Sequence, residues 1–504
     1  MSLSSALSTA QSIFTNSGTQ SAVVSKNIAN AQNPDYVRRS APVITGGNGA
    51  IIDDIVRSSN SPLLRQTIES TGIASGQRTL LDGLTEIKNL MGGNDNEFSP
   101  AKLIAAFRND METFASKAND TGIGIAVISS AQDLASTLNT TADKLQQIRK
   151  DADDQIKQNV NDLNALLSKF EQVNNQVKNA TASGADPNDA LDEREGLVKK
   201  ISEIVGVTSY TRGDNDMVLY TSDGVTLFET VPRKVTFQPT AAFDASTTGN
   251  GVYIDGVPLK AGDAANTTAK GSLQAYMQLR DKVAPTFQKQ LDEIARGLIT
   301  AFAETGPASS PQTPRTGLFT YKDASGVQQT AVPSQTGTDT NADGKPDPGS
   351  LLVPGLASRI FVNPVVVPPA GTPDKLRDGG INGAAYVVNT GGSSYGELLD
   401  KYNENLESPM VFDSLTEIAD APDLVSLASD SMGWLEQLRS TATSADEVKT
   451  ALLTRTLEAY SSTTGVSLDE ELSLLLDIEQ SYKAGAKLMS TVDDMMKALL
   501  EIAS

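Results

Sequence analysis

Both ends of the chain carry apolar residues at steps that alternate between three and four positions. In residues 1–31 and again in residues 468–503 the mean step is about 3.5, the seam period of a coiled coil. A seam of this kind needs a partner helix, and the simplest arrangement pairs the two ends with each other or with neighbouring copies. The predicted seam comprises Leu3, Leu7, Ala10, Phe14, Val24 and Ile28 at one end and Leu468, Leu472, Leu475, Ile478, Tyr482, Met489, Val492, Met496 and Leu499 at the other.

The interior of the chain predicts further helices around a longer seam. Between residues 131 and 177 apolar residues recur with the same mean step, which predicts a helix about 70 Å long. Ser99 followed by Pro100 is a favourable N-cap and first-turn pair for a shorter helix. Other helices are predicted at 62–91, 188–205, 272–304 with a break or kink at Pro285, 395–405 and 423–462.

Three segments have a different pattern. Between 207 and about 269 the apolar period becomes two, among Gly and Asp turns, which predicts a β insertion. Residues 305–394 are dense in Pro, Gly, Thr and Ser and predict a small β-rich domain with many loops. Residues 36–60 predict an extended connector that resembles a hairpin.

Together these patterns predict a mainly α fold with β insertions in an elongated multidomain protein. A chain of 504 residues is long enough for several domains. The predicted regions are a terminal coiled-coil region of residues 1–61 and 461–504, a long-helix bundle of residues 62–304 and 395–460 that carries the insertion, and an outer domain of residues 305–394.

Composition narrows the classes of function. The formal net charge of −21 argues against a nucleic-acid surface and against docking on an anionic membrane. The chain has no Cys and no His, which excludes Cys nucleophiles, disulfides, Cys/His zinc sites and His bases. No apolar run reaches membrane-spanning length, and the N-terminal stretch lacks the basic and apolar regions of a secretory signal.

Acidic residues offer two weak candidates for chemistry. One segment is similar to the first half of a calcium loop, but Ser350 stands where such a loop carries its bidentate Glu, which favours a plain surface turn. Adjacent carboxylates do not face each other on a helix or strand, so three such pairs are interpreted as solvated faces. The candidate calcium ligands are Asp339, Asn341, Asp343 and Asp347, and the pairs are Asp53–Asp54, Asp153–Asp154 and Asp493–Asp494.

The end of the first seam helix resembles a known family motif. Residues 27–36 are similar to the helix-end motif Asn-Ile-Ala-Asn-Ala-Asn-Thr-Pro-Gly-Tyr of the bacterial flagellar rod, hook and hook-associated family. The chain departs from that motif at Asn33 and at Asp35, where Asp favours a type I turn and Gly would favour type II. The matching residues are Asn27, Ile28, Ala29, Asn30, Pro34 and Tyr36.

Other segments extend the resemblance. Residues 465–495 are similar to the family's matching terminal helix. Residues 187–207 resemble a mid-chain helix of the hook-associated members, with Glu195 in place of a second Asp, and residues 280–295 resemble the helix that follows it.

The resemblance implies a structural subunit of the flagellum that joins hook to filament and assembles through its terminal helices. The implied partners are further copies of the chain, hook protein, a second junction protein or flagellin on the filament side, and a cytoplasmic export chaperone at the C-terminal helix. Neither nucleic acid nor membrane is among them. The implied location is the extracellular flagellum, reached by type III export without a cleaved signal peptide, and no catalytic residue or cofactor is implied.

Two alternatives remain open. Another axial flagellar subunit, from the hook or the distal rod, would share the N-terminal motif but lack the long helix at 129–179. A secreted protein with an enzymatic domain at 305–394, such as a carboxylate-based hydrolase, has no residue pattern in its favour.

Overall fold

A computed structural model describes residues 3–46, 49–261, 268–418 and 421–503. Helices dominate the described residues, and several of them are long. The helices are α1 Leu3–Ala29, α2 Ser61–Leu90, α3 Pro100–Ser116, α4 Thr121–Ser183, α5 Asn188–Ile204, α6 Ser272–Gln278, α7 Ala284–Ala301, α8 Asp374–Asp378, α9 Glu397–Asn405, α10 Leu424–Thr464 and α11 Leu468–Ala503.

The strands are short and lie between the helices. The strands are β1 Arg39–Ser40, β2 Val43–Gly46, β3 Gly49–Ile52, β4 Val56–Arg57, β5 Val207–Thr211, β6 Met217–Thr221, β7 Thr226–Phe228, β8 Val235–Thr236, β9 Tyr253–Ile254, β10 Val257–Pro258, β11 Phe319–Lys322, β12 Gln328–Gln329 and β13 Ile360–Val362. Antiparallel pairing joins β1 to β4, β2 to β3, β6 to both β5 and β7, β9 to β10, and β11 to both β12 and β13.

The predicted fold class, mainly α with β insertions, is confirmed. The long predicted helix corresponds to α4, which has 63 residues and extends beyond both ends of the predicted seam. The predicted break near Pro285 is a π turn over Leu279–Val283, directly before the start of α7, and the helical run continues through it. Within the predicted β insertion, residues 262–267 lie outside the described residues.

The chain divides into two compact units. Unit 1 comprises residues 1–75, 161–235 and 447–504, and unit 2 comprises residues 76–160 and 236–446. The division into three regions that the sequence predicts stays a prediction. Among the helices of the described residues, none has the length and apolar character that a membrane crossing requires.

Unit 2 has its core around α7. Phe287, Leu291, Ile294 and Leu298 recur at helical spacing and are fully buried, so this helix is covered along its length. Near its C-terminal end an aromatic cluster closes the core, with ring centroids 5.4–5.9 Å apart. The cluster comprises Phe107, Phe302 and Phe319.

A buried ion pair crosses unit 2 and corrects one interpretation of the sequence. Asp153 is fully buried, and its Oδ1 lies 2.6 Å from the guanidinium of Arg280, which is also fully buried. The backbone N–H of Thr240 donates to the other carboxylate oxygen at 2.8 Å. The solvated-face interpretation is therefore wrong for Asp153, although the neighbouring Asp154 is exposed and pairs with Lys150 at 2.8 Å.

The difference in burial between the two ion pairs predicts that replacing Arg280 lowers the free energy of unfolding more than replacing Lys150. Arg280→Met leaves Asp153 charged and buried without a cation, which lowers the free energy of unfolding by roughly 3–5 kcal/mol. Lys150→Met removes the solvent-accessible pair with Asp154 and costs less than about 1 kcal/mol. Urea unfolding of the full chain, followed by far-UV circular dichroism, measures both. Equal losses for the two variants would show that burial does not govern the strength of the pair.

Candidate assembly interface

Helices α1 and α11, at the two ends of the chain, pack against each other. The rings of Phe14 and Tyr482 meet edge to face, with centroids 4.9 Å apart. Gly485 lies so close to α1 that a Cβ atom at this position would be 2.8 Å from Cγ2 of Ile13. The helix that faces α1 is therefore α11 of the same chain, and a residue without a side chain permits the close approach.

The contact line on α11 repeats every seven residues. Its members Glu471, Ile478, Gly485 and Val492 are buried, and a seven-residue period keeps them on the side that faces α1. Glu471 and Gly485 are not apolar, so a search for apolar residues passes over them.

The residues of the predicted seam fall into three groups by burial. One group is buried, one is half-buried and one is exposed, although the exposed Tyr482 still contacts Phe14 of α1 through its ring. Ala10, Val24, Ile478 and Val492 are buried, Leu3, Phe14, Ile28, Leu475 and Met489 are half-buried, and Leu7, Leu468, Leu472, Tyr482, Met496 and Leu499 are exposed.

Two exposed apolar surfaces on α11 follow from this arrangement. Leu468, Leu472 and Leu476 are four residues apart, so their side chains form one stripe, here called the open stripe. They are 46, 51 and 60% exposed. Near the end of the helix lies a second surface, here called the apolar end. It comprises Met495, Met496, Leu499 and Leu500.

The side chain of Asn27 connects the end of α1 to the start of α11. Its Nδ2 donates to the carbonyl of Arg39 at 2.8 Å and to Oε2 of Glu471 at 3.0 Å. Its Oδ1 accepts from the hydroxyl of Tyr36 at 2.8 Å and from the N–H of Arg39 at 3.1 Å. All four hydrogen-bonding positions of a fully buried carboxamide are thus used.

Tyr36 is the second motif residue that the structure brings into this site. Burial raises the pKa of Tyr36 to about 12, so its hydroxyl remains a hydrogen-bond donor at physiological pH. The N–H of Tyr36 donates to the carbonyl of Asn33 at 3.1 Å, and Asp35 is not in the left-handed region that a type II turn requires. By contrast, Asn30 is outside the buried site and donates to the carbonyl of Lys26 at 2.9 Å.

Arg38, which follows the motif, also contacts the start of α11. Nε of Arg38 donates to Oε1 of the buried Glu471 at 2.6 Å. The N–H of Arg38 donates to the carbonyl of Thr464 at 2.7 Å, at the end of α10. The segment after the motif therefore contacts both helices that meet at the turn before α11.

A cluster of buried charges supports this segment from α5. Arg39 lies 2.8 Å from Asp192, and Arg57 pairs with Asp192 and, through two hydrogen bonds, with Glu195. The hydroxyl of Tyr460 donates to Glu195 at 2.9 Å. Burial opposes charge on Arg57, but the hydrogen bonds and the nearby carboxylates raise the pKa of its guanidinium above the usual range.

Most of this cluster has no signal in the sequence. The family motif points to Asn27 and Tyr36, whereas Arg39, Arg57 and Glu471 are not among the predicted site residues. Asp192 and Glu195 lie in the segment that resembles a mid-chain helix, and the concentration of charge there is the one available signal. Nothing in the local sequence identifies their arginine partners, which lie more than a hundred residues away.

In the candidate calcium loop, carboxylate oxygens accept hydrogen bonds from backbone N–H groups of the loop itself. The two carboxylate oxygens of Asp339 accept from the N–H groups of Asp343 and Gly344 at 3.1 and 3.0 Å. Asp347 accepts from the N–H of Thr340 at 3.0 Å. Within the described parts of the chain, no group of three or more acidic side chains is arranged to hold a metal ion.

The saturated hydrogen bonding of Asn27 predicts strong sensitivity to a small change. Asn27→Asp removes the donor and places a second carboxylate beside Glu471, which lowers the free energy of unfolding by roughly 2–4 kcal/mol. Asn30→Asp is the matched control, because the same change at a half-buried motif position whose side chain bonds one backbone carbonyl costs under about 1 kcal/mol. Hydrogen exchange of the α1 and α11 amides reports the loss, and similar losses of protection in both variants would contradict the role of Asn27.

Comparison with known proteins places these features in a family. A family model described as the helical domain of flagellar hook-associated protein FlgK matches residues 84–306. A second, described as the C-terminal region of flagellar basal body rod FlgEFG proteins, matches residues 458–502. The second match includes the exposed apolar surfaces of α11.

Curated relatives and a solved structure agree with these matches. Flagellar hook-associated protein 1 of Salmonella typhimurium is 24% identical over 292 residues, which are 55% of this chain and 52% of that protein. The Escherichia coli protein of the same name is 23% identical over 259 residues, 51% of this chain and 47% of that protein. The chain thus spans about half the length of the curated relatives that it matches.

The solved structure shares the fold. The flagellar hook junction protein FlgK of Burkholderia pseudomallei superposes with a TM-score of 0.55 at 16% identity, covering 80% of this chain and 100% of that one. With the two family models and the curated relatives, the conclusion is that the chain belongs to the flagellar hook-associated protein family.

Proposed function

We propose that this chain is a structural subunit of the bacterial flagellum that joins the hook to the filament. The observation that carries the proposal is the pair of exposed apolar surfaces on α11, the open stripe and the apolar end. Large apolar side chains grouped on one helix are typical of surfaces that another protein covers.

Burial of these surfaces supplies the driving force for assembly. Full burial of a Leu or Met side chain contributes about 1.5–3 kcal/mol, so covering one that is already about half buried contributes roughly half of that before the costs of association are subtracted. The open stripe and the apolar end together offer seven such side chains. In the proposed assembly, neighbouring copies and the adjoining hook and filament subunits cover them.

Two further observations favour the junction over other axial positions. The curated relatives are named hook-associated protein 1, and the solved relative is titled a hook junction protein. The long helix α4 is present, which is the feature expected to be missing from a hook or distal rod subunit. The role that we propose is structural rather than enzymatic.

Export and chaperoning complete the proposal. The subunit leaves the cell through the flagellar type III apparatus and works in the extracellular flagellum. A cytoplasmic chaperone covers α11 before export, because its apolar surfaces would otherwise associate prematurely. The net charge of −21 adds mutual repulsion between free subunits.

Charged residues in the open stripe are expected to block assembly without unfolding the chain. The double variant Leu472→Glu/Leu476→Glu changes two side chains that are more than half exposed, so the stability of the free chain changes by less than about 1 kcal/mol. When it replaces the native gene in a flagellated strain, we expect hooks without filaments and free subunit in the medium. Electron microscopy and immunoblotting of the medium measure both.

The matched control is Ser473→Glu/Ser481→Glu, which adds the same charges at exposed polar positions of the same helix. This variant should retain filaments. Normal filaments on cells with the leucine variant, or loss of filaments with both variants, would contradict assembly through the open stripe.

A further inference from the structure

Helix α10 exposes a second stripe of residues at the spacing of a helix seam. Val448, Leu452, Arg455 and Ala459 are exposed and follow one another at steps of four, three and four residues. Val448 alone is 62% exposed. These four residues are here called the α10 stripe. The α10 stripe and the open stripe of α11 both lie in unit 1.

Another side of α10 packs within the chain. Thr456 and Tyr460 are buried, and the hydroxyl of Tyr460 donates to Glu195 of α5 at 2.9 Å. The fold of unit 1 therefore uses the side of α10 that carries these two residues. The α10 stripe remains exposed and is available to a partner.

Arg455 gives the α10 stripe a positive charge that the chain leaves unpaired. Its guanidinium forms no ion pair with any side chain that the structure describes, although Glu458 is only three residues away. An exposed cation inside an apolar stripe favours a partner surface that is apolar and carries a carboxylate at the matching position.

The open stripe of α11 has such a carboxylate at its edge. Asp469 is exposed, and among the described cations none forms an ion pair with it. Asp469 lies three residues before Leu472 and seven before Leu476, so all three side chains are on one face of α11. This face is apolar with one unpaired negative charge.

The two surfaces match when the helices run in opposite directions. Along α10, steps of four and three residues lead from Val448 through Leu452 to Arg455. Backwards along α11, the same two steps lead from Leu476 to Asp469. The facing pairs in an antiparallel arrangement are then Val448–Leu476, Leu452–Leu472 and Arg455–Asp469.

A parallel arrangement does not pair the charges. With Leu452 again beside Leu472, it would place Arg455 beside the half-buried Leu475. Charged residues at helix seams select partner and orientation, because an unpaired charge disfavours the alternative packing. The positions of Arg455 and Asp469 therefore favour the antiparallel arrangement.

From these observations we propose that the α10 stripe of a second copy of this chain covers the open stripe, with the two helices antiparallel. The inference rests on the proposed function, because it names the surface that a neighbouring subunit contributes. Both stripes are exposed in the single chain, so their contact joins different copies.

The contact is heterologous, because each copy contributes one surface and receives the other. Contacts of this type build rings or helical filaments, whereas a contact between two identical surfaces closes a dimer. A subunit layer between a tubular hook and a tubular filament needs a contact that repeats from copy to copy. The pair of stripes supplies one.

Cysteine cross-linking in isolated flagella tests which surface covers the open stripe. The chain has no Cys, so Leu452→Cys/Leu472→Cys, expressed in place of the native gene, introduces one defined pair of thiols. After mild oxidation, we expect non-reducing electrophoresis to show dimers and a ladder of larger multimers. Leu452→Cys/Ser473→Cys is the matched control and should give no ladder, because the exposed Ser473 lies about 100° around the helix from Leu472.

Exchange of charges tests the pairing of Arg455 with Asp469. Arg455→Glu and Asp469→Arg each place like charges opposite one another, and each should lower the number of filaments per cell about tenfold. The combined variant restores an opposite pair and should regain filaments. Thr454→Glu is the control, because this exposed residue lies about 100° around α10 from Arg455. Far-UV circular dichroism of the purified variants checks that each one folds.

Several results would overturn the inference. They are the absence of a ladder in Leu452→Cys/Leu472→Cys, an equal ladder in its control, normal filaments in both single charge variants, or no recovery in the combined one. A ladder from Leu7→Cys/Leu472→Cys in its place would show that α1 of the neighbour covers the open stripe. The proposed function fails differently, since it predicts loss of filaments in Leu472→Glu/Leu476→Glu whichever surface of the neighbour lies on the stripe.

Discussion

The buried carboxamide of Asn27 is the contact on which the arrangement of both chain ends depends. It joins the end of α1, strand β1 and the first turn of α11 through four hydrogen bonds. A buried polar group that loses its partner costs about 1–3 kcal/mol, so displacement of any of these segments is penalised. Because Glu471 is bound at this point, the register of α11 against α1 is set from its first turn onwards.

The open stripe follows from that register. With Glu471 facing Asn27, the seven-residue repeat continues through Ile478, Gly485 and Val492, and the leucines beside it point away from α1. Helix α11 has 36 residues, and its main packing partner in the described chain is α1. In the proposed assembly, neighbouring subunits cover the side of α11 that α1 leaves exposed. These apolar contacts therefore form only when the subunit is incorporated.

The parts of the fold that local patterns determine could be predicted from the sequence. The apolar period identified α1, α4 and α11 because helix formation and helix faces depend on residues a few positions apart. The change to a period of two located strands β5 to β7 for the same reason. Boundaries were less accurate, since α4 continues well beyond its apolar seam.

The candidate site could be predicted only in part, because its contacts join distant segments. Asn27 and Tyr36 were found through a family motif, whereas Glu471 and Gly485 carry no apolar signal although they lie on the contact line. The sequence predicts a solvated Asp153, and it gives no local sign of the buried partner Arg280, which is 127 positions away. Ion pairs between residues so far apart in the chain do not produce a periodic pattern in the sequence.

The most direct test is a disulfide between α1 and α11. A Cβ at position 485 would lie 3.4 Å from Cβ of Ile13, close to the separation found in disulfides, which is about 3.5–4.5 Å. The native chain has no Cys, so Ile13→Cys/Gly485→Cys gives one defined pair. Non-reducing electrophoresis after mild oxidation should show a monomer of increased mobility that reverts on reduction, with no product from either single variant. Dimers only, or no disulfide in the double variant, would contradict pairing of α1 and α11 within one chain.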